Sequence, residues 1–244
     1  MTDRTVSYGS GLRARQNGPL RRARGRRAVG STLNETSVVH PQTLGVVLAG
    51  GLARRMGGGD KTAVRIGGAT LFERVLRRLG PQCTRVILSS GDAARFSGSG
   101  LIIVADGVPG HAGPLAGILA ALEWTAEHAP DIAWVVSAPG DCPFLPRDLV
   151  ARLHVGRIEA GAPLACASSS GRRHPVVGLW AVALRQDLRR ALVQERVRKV
   201  DLWAARYGVA VVEWPVAPVD PFFNVNTPED VGAAGRLAAQ YPDV

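Results

Sequence analysis

The chain has 244 residues, of which 46% are apolar and 20% are charged. This composition is typical of a globular protein with enough length for a buried core, and no apolar run approaches the length of a membrane span. Three widely spaced cysteines without a CxxC pair argue against a disulfide framework and against a cysteine zinc site. Because no secretory signal pattern opens the sequence, we expect a reducing cytoplasmic location.

The formal net charge of +10 is unevenly distributed. Residues 1–43 contain eight arginines and two acidic residues, a net +6, which leaves +4 on residues 44–244. The same 43 residues have no sustained apolar period and are predicted to be a disordered extension before a single domain at 44–244. An arginine-rich start is typical of an organellar transit peptide or of a nucleic-acid-binding arm, and it also fits an extension assigned too far upstream.

The first ordered element is predicted at Leu44–Ala49, a short apolar run that suits a buried parallel strand. Gly50 and Gly51 follow at once, then Arg55, a second glycine cluster and Lys61. Glycines let backbone N–H groups approach a phosphate closely, and the cations balance its charge. The order of residues matches neither the Walker A loop nor the dinucleotide fingerprint, so we interpret the segment as a different nucleoside triphosphate loop.

Downstream, apolar periodicity predicts alternating strands and helices. Thr70 and Glu73 form a capping-box pattern at the start of the first predicted helix, and Thr227 precedes Pro228 at the start of the last. The alternation predicts a Rossmann-like, mostly parallel sheet with helices on both faces. The predicted strands are 85–89, 101–105, 132–137, 162–167, 176–182 and 209–214, and the predicted helices are 70–79, 115–128, 146–155, 184–193, 200–207 and 228–240.

Two aspartates follow predicted strands, at the edge where open α/β sheets bind ligands. Asp106 comes directly after strand 101–105, and Asp141 lies in a turn rich in proline and glycine after the predicted central strand. Magnesium prefers oxygen ligands and usually takes one or two carboxylates plus phosphates, so Asp141 suits Mg²⁺. Either aspartate alone would also fit a structural role in its turn.

The second half of the chain offers polar residues for a second substrate. Arg172, Arg173 and His174 fall in a predicted basic loop, which is either an acceptor contact or a solvated hairpin tip. Asn224 and Asn226 precede the last helix and either line the site or cap its turn.

Five motifs carry a family resemblance. In order along the chain they are the glycine loop from Leu48 to Lys61, Gly113-Pro-Leu-Ala-Gly117, Gly140-Asp-Cys-Pro-Phe144, His174-Pro175 and Asn224-Val-Asn-Thr-Pro-Glu229. Together they resemble the molybdenum cofactor guanylyltransferase family of nucleotidyltransferases, over a stretch from about Leu44 to the C-terminus.

The resemblance implies the nucleotide-diphospho-sugar transferase type of fold, with residues 44–149 holding the nucleotide and 150–244 the acceptor. It implies transfer of GMP from GTP to the phosphate of molybdopterin or its molybdenum-bound form, with release of pyrophosphate. It also implies transient contact with other cofactor-biosynthesis or acceptor proteins, and neither a membrane nor a nucleic-acid partner. By resemblance, Asp141 holds Mg²⁺, Arg55 and Lys61 stabilise the leaving group, and the nucleotide contacts are Leu48, Ala49, Gly50, Gly51, Lys61, Asp106 and Asp141.

The second glycine of Leu-Ala-Gly-Gly favours the guanylyl branch, because cytidylyl relatives more often have Ala-Ala-Gly there. One departure is Ser89-Ser90, where the family often has an asparagine that contacts the nucleotide. Two alternatives stay open. One is another nucleotidyl transfer, such as cytidylylation of molybdopterin or activation of a sugar phosphate. The other is a non-catalytic binding protein that uses the basic N-terminal arm.

Overall fold

The computed structural model describes residues 40–49, 63–105, 107–108 and 113–242. Within them the strands are β1 (Thr43–Leu48), β2 (Arg65–Ile66), β3 (Ala69–Thr70), β4 (Arg85–Ser89), β5 (Ile102–Val104), β6 (Trp134–Pro139), β7 (Leu164–Ser169), β8 (Arg172–Ala181) and β9 (Ala210–Trp214). The α-helices are α1 (Leu71–Leu79), α2 (Pro114–His128), α3 (Leu149–Glu159), α4 (Arg185–Val193), α5 (Val200–Ala204) and α6 (Pro228–Gln240).

Seven of these strands form one sheet in the order β5-β4-β1-β6-β8-β7-β9, and β2 pairs with β3 in a separate hairpin. The neighbours β5, β4, β1 and β6 are parallel, β8 is antiparallel to both β6 and β7, and β9 is parallel to β7. The prediction of a mostly parallel sheet is therefore confirmed. β6 is the middle strand of the seven, as its continuous apolar run predicted.

Helices cover both faces of the sheet, as predicted. One apolar cluster joins Ile118 of α2 to Leu188 of α4 and Trp203 of α5. On the opposite face a second cluster joins Val75 of α1 to Leu153 of α3. A third cluster packs α6 on the small hairpin formed by β2 and β3.

The two predicted helix starts are also confirmed. The Thr70 side chain accepts a hydrogen bond from the Glu73 N–H, and the Glu73 carboxylate accepts one from the Thr70 N–H. Thr227 and Asp230 make the same pair of bonds at the start of α6, and Pro228 is its first residue. Each box satisfies two donors that the first turn of a helix would otherwise leave unpaired.

Several element boundaries differ from the prediction, and two of these differences have a clear physical cause. α3 begins at Leu149, because Phe144 and Leu145 before it are buried in two different apolar clusters and hold the chain out of helical geometry. The predicted basic loop over Arg172–His174 is wrong, because β7 and β8 meet in a tight turn at Ser170 and Gly171. Ser170 has φ of +48° and Gly171 has φ of +71°, the left-handed backbone that tight hairpin turns require.

A hydrogen-bond chain anchors the amino end of β1. Arg157 Nε donates to His154 Nδ1 at 3.1 Å, and His154 Nε2 lies 2.8 Å from Thr43 Oγ1, which in turn donates to the Pro41 carbonyl at 2.8 Å. These roles require a neutral His154 with its proton on Nε2. His154 is 1% exposed, and burial, with smaller effects of Arg157 and His40, lowers its pKa to about 3.

No helix among the described residues is both long and apolar enough to cross a bilayer.

Candidate active site

All six parallel-running strands of the sheet end at one edge, and β8 begins there. Backbone bonds between neighbouring strand ends hold this edge together. The Ala49 N–H donates to the Ser89 carbonyl at 2.9 Å, and the Gly140 N–H donates to the Leu48 carbonyl at 3.0 Å. The last residue of β1 is therefore fixed from both sides, at the position where an open α/β sheet binds its ligand.

The N-terminal turn of α2 packs unusually closely on this edge. A Cβ atom on Gly117 would lie 2.7 Å from Ser89 Oγ and 2.8 Å from Leu48 Cδ2. Glycine allows this approach without rearrangement, because a Cβ atom there would force Ser89, Leu48 or the helix itself to shift. Ser89 is 5% exposed and is enclosed by the same contact. The small serine, which departs from the family's asparagine, therefore has a packing role at this position.

Asp141 lies in the turn after β6, two residues beyond the strand partner of Leu48. Its main chain is fixed on both sides, because Gly140 bonds to Leu48 and the Asp141 carbonyl accepts a 3.0 Å bond from the Val225 N–H. One carboxylate oxygen, Oδ1, is buried. The turn thus joins the end of β1 to the segment before α6.

A single carboxylate fits the demands of Mg²⁺. Within the described residues no three histidine, cysteine, aspartate or glutamate side chains gather in one place, which argues against an all-protein metal cage there. Mg²⁺ usually takes one or two carboxylates and completes its shell with phosphates and water. Asp141 offers the hard oxygen donor that such a shared site needs, and its fixed backbone pre-positions it.

Beside Asp141 lies an open cleft of about 740 Å³. Its walls come from the start of β8, from the turn between β7 and β8, and from the segment before α6. The lining residues include Pro139, Cys142, Ser169, Ser170, Arg172, Arg173, His174, Asp220, Phe222, Phe223, Asn224, Asn226 and Asp230. All five residues that the sequence suggested for a second substrate, namely Arg172, Arg173, His174, Asn224 and Asn226, are among them.

His174 is held in place on one wall of the cleft. Its Nε2 lies 2.8 Å from Ser169 Oγ, and its ring packs on Phe222 with the centroids 4.7 Å apart. Burial lowers the pKa of His174 from its usual value, while the charge of Asp220 acts in the opposite direction. His174 is therefore neutral at neutral pH and offers hydrogen bonding without a full positive charge.

Another part of the cleft wall is fixed by the N-cap of α6. One Asp230 oxygen, Oδ2, accepts from the N–H of Asn226 at 2.8 Å and from the N–H of Thr227 at 2.9 Å. This bonding fixes the backbone of the Asn224–Asn226 segment at the cleft. Both asparagines line the cleft, while the side chain that caps the helix is that of Asp230.

The three cysteines are poor nucleophiles. Burial raises the pKa of Cys83 to about 12 and that of Cys166 to about 11. Burial, together with the charges of Asp141 and Asp220, raises the pKa of Cys142 well above its usual value. A thiolate is the reactive form, so chemistry at this edge does not pass through these side chains.

Of the predicted nucleotide and metal residues, the structure places Leu48, Ala49 and Asp141 together at one edge. Gly50, Gly51, Arg55, Lys61 and Asp106 lie outside the described residues, so their predicted roles stay predictions. Sequence reasoning missed two residues that support the cleft, namely Phe222, which lines it, and Glu213, which bonds to the turn between β7 and β8. A buried aromatic and an edge-strand glutamate carry no local pattern that would have indicated this role.

The fold and site define a class of protein. Residues 45–207 match the model of the MobA-like NTP transferase domain, and the chain belongs to this family. The resemblance drawn from the five motifs is thereby confirmed.

Two named relatives are similar to this chain over most of its length. A protein of Nitrobacter hamburgensis named molybdenum cofactor guanylyltransferase is 61% identical over 200 residues, which cover 82% of this chain and 96% of the relative. A protein of the same name from Rhodopseudomonas palustris is 58% identical over 200 residues, with 82% and 95% covered.

Solved structures agree with the fold. Molybdopterin-guanine dinucleotide biosynthesis protein A from Archaeoglobus fulgidus superimposes with a TM-score of 0.62 at 27% identity, covering 81% of this chain and 99% of that one. A CMP:2-keto-3-deoxy-manno-octonic acid synthetase superimposes with a TM-score of 0.61 at 15% identity, a likeness of fold alone. The fold is therefore of the nucleotide-diphospho-sugar transferase type, as the resemblance implied.

Proposed function

We propose that this protein transfers GMP from GTP to the terminal phosphate of molybdopterin, or of its molybdenum-bound form, and releases pyrophosphate. The observation that carries the proposal is the position of Asp141. Its turn is bonded on one side to the strand that leads into the glycine loop and on the other to the segment that lines the cleft. Relatives at 56–61% identity that bear the name molybdenum cofactor guanylyltransferase support this choice of nucleotide and acceptor.

The chemistry needs little beyond positioning. An oxygen of the acceptor phosphate forms a bond to the α-phosphorus of GTP, and the bond from that phosphorus to the bridging oxygen of the β-phosphate breaks. The acceptor oxygen is already anionic, so no serine, cysteine or histidine has to be activated. The protein must hold two anions in line and offset the negative charge that grows on the leaving pyrophosphate.

The residues divide these tasks. Backbone groups of Leu48, Ala49, Gly50 and Gly51, with the side chain of Asp106, are proposed to contact the nucleotide, and Arg55 and Lys61 to stabilise the leaving pyrophosphate. Asp141 would hold Mg²⁺, which when bound neutralises charge on the phosphate oxygens.

Arg172 and Arg173, which line the cleft, are proposed to bind the acceptor phosphate. Guanidinium groups suit this task because they present several donors to one phosphate and stay charged at neutral pH. Neutral His174 lies beside them and adds hydrogen bonding without further charge.

The direct test is incubation of the protein with Mg·GTP and molybdopterin, followed by detection of the guanine dinucleotide and of pyrophosphate. CTP, ATP and UTP, and sugar phosphates as acceptors, are run in parallel. Faster transfer from CTP, or to a sugar phosphate, would replace the proposal with one of its alternatives. Chelation of Mg²⁺ with EDTA should stop turnover, and added Mg²⁺ should restore it.

A truncated chain tests the remaining alternative, a binding protein that acts through its basic arm. The deletion stops at residue 39, because Thr43 is fully buried in β1 and bonds to His154. Transfer by the truncated chain at the full-length rate is expected, since the described site lies wholly beyond residue 39. Loss of all function on truncation, with no transfer by either chain, would favour the binding protein.

A further inference from the structure

The outer edge strand β9 supports the acceptor cleft from behind, through its last two residues. Glu213 contacts the turn between β7 and β8. Its Oε2 accepts a 2.5 Å hydrogen bond from Ser168 Oγ, and its Oε1 accepts a 3.1 Å bond from the Gly171 N–H. The turn that begins β8 is thus fixed by a carboxylate more than 40 residues further along the chain.

The turn benefits from such support. Ser170 adopts a φ of +48°, which a residue with a Cβ atom disfavours, and Gly171 follows with a φ of +71°. The local sequence alone therefore does not favour this geometry at Ser170. Hydrogen bonds from Ser168, and from the backbone of Gly171, hold the pKa of Glu213 below its usual range, so Glu213 is a full acceptor at neutral pH.

Trp214, the next residue, supports the other side of the same wall. Its ring packs edge-on against Phe222 with the centroids 5.4 Å apart, and Phe222 in turn packs on His174 at 4.7 Å. Trp214 Nε1 donates to Asp148 Oδ1 at 3.0 Å, which fixes the indole. Adjacent residues of one strand thus reach the cleft by two routes, one polar and one aromatic.

We infer that Glu213 is a positioning residue for the acceptor substrate. Glu213 does not line the cleft, but the turn that it holds leads directly into Arg172 and Arg173, which do. Without the carboxylate the turn relaxes, and the two guanidinium groups lose their fixed spacing toward the acceptor phosphate. Nucleotide binding at the ends of β1 and β6 is unaffected. This inference rests on the proposed function for the identity of the acceptor.

The experiment compares Glu213→Ala, Glu213→Gln and, as a matched control, Glu159→Ala. Glu159 is an exposed glutamate that lines, together with Glu213, a groove between α3 and β9. We expect Glu213→Ala to raise the KM for molybdopterin about five- to tenfold, the size of effect that follows from losing a typical solvent-exposed hydrogen bond. The KM for GTP and the kcat should stay within about twofold. Glu213→Gln should recover most of the loss, because its amide oxygen still accepts from Gly171.

A second measurement tests the hairpin of β7 and β8 directly and does not require enzymatic activity. Amide hydrogen exchange over residues 168–175 should accelerate in Glu213→Ala and remain at the wild-type rate in Glu159→Ala. An unchanged KM for molybdopterin, or an equal change in the KM of both substrates, would overturn the inference. If the wild-type protein transfers no nucleotide, the proposed function fails. The exchange data then decide by themselves, and an unchanged rate in Glu213→Ala rejects the positioning role.

Discussion

The two halves of the sheet build their parts of the site by different means. In the parallel half, backbone bonds between strand ends and the close approach of Gly117 to Ser89 and Leu48 shape the edge. In the half that contains the reversed strand, side chains do this work, through the bonds of Glu213 to the turn and of Asp230 to the segment before α6. The first half should therefore be sensitive to added volume, and the second to the loss of a polar group.

The largest effect is expected where the halves meet. Asp141→Ala should lower kcat by about 10²–10³-fold or more, because it removes the carboxylate proposed to hold the metal. Circular dichroism and the thermal midpoint should be close to wild type, since the bonds at this turn use the Gly140 and Asp141 backbone. The control is Asp131→Ala, which should keep full activity, because Asp131 is an exposed aspartate shortly before β6.

We expect Lys61→Ala to abolish turnover as well.

The next effect tests added volume. Gly117→Ala should destabilise the protein by about 1–3 kcal/mol, because the new Cβ atom overlaps Ser89 and Leu48. It should also raise the KM for GTP, since relief of the overlap shifts Ser89, Leu48 or α2 at the strand ends. Gly235→Ala in α6 is the matched control, because nothing lies within 4 Å of its added Cβ. There the better helix propensity of alanine should stabilise by about 0.5–1 kcal/mol. Urea unfolding measures the stability of both variants. An equal loss of unfolding free energy in the two would contradict the steric argument.

A third prediction concerns the opposite edge of the sheet, at the amino end of β1. A substitution there should change stability without changing activity. The pKa of His154 lies at about 3 in the folded protein, against 6.5 ordinarily. The unfolded chain therefore binds the extra proton first as pH falls below 6.5. Stability is fully present above that pH and declines toward pH 3, by about 1.4 kcal/mol per pH unit.

His154→Gln measures this contribution. Between pH 6.5 and about pH 5, wild type should lose about 2 kcal/mol more unfolding free energy than the variant does. Chemical denaturation at the two pH values provides the comparison, because the other titrating groups are common to both proteins. Parallel pH dependences would show that His154 does not titrate in this way. The activity of His154→Gln at neutral pH should equal that of wild type, because His154 lies at the amino end of β1 and the site lies at the carboxyl end.

The smallest effect compares the two capping boxes, one in each half. Thr70→Ala and Thr227→Ala should each cost about 1 kcal/mol of stability. Only Thr227→Ala should also raise the KM for the acceptor, because Asp230, the partner of Thr227, fixes the Asn226 backbone at the cleft. If Thr70→Ala raised the KM for the acceptor by the same amount, the loss of stability alone would explain the effect of Thr227→Ala.

Local patterns were sufficient to predict much of the fold. The capping box at Thr70 and Glu73 depends on residues three apart, and strand β4 at Arg85–Ser89 depends on a short apolar run, so both were predicted at their observed positions. The turn around Asp141 was predictable for the same reason, since glycine and proline mark it directly.

The rest depends on contacts that the sequence does not display. Arg172–His174 were predicted as a loop because their polar side chains hide the strand period, whereas pairing with β7 makes them strand. The start of α3 was predicted too early, because burial of Phe144 and Leu145 in separate clusters outweighs the helix-favouring position of Pro146. The role of Glu213 requires the pairing of β7 with β9, which joins distant parts of the chain.

The reversed direction of β8 has a consequence for how such enzymes diversify. Because β8 returns directly from β7 through a two-residue connection, the basic residues of the cleft lie on a β-hairpin, and no crossover helix connects its two strands. Its tip can change in length or sequence while the parallel strands and their helices keep their places. Under the proposed function, a change in this hairpin would alter the binding of the acceptor and leave the nucleotide-binding edge of the parallel strands unchanged.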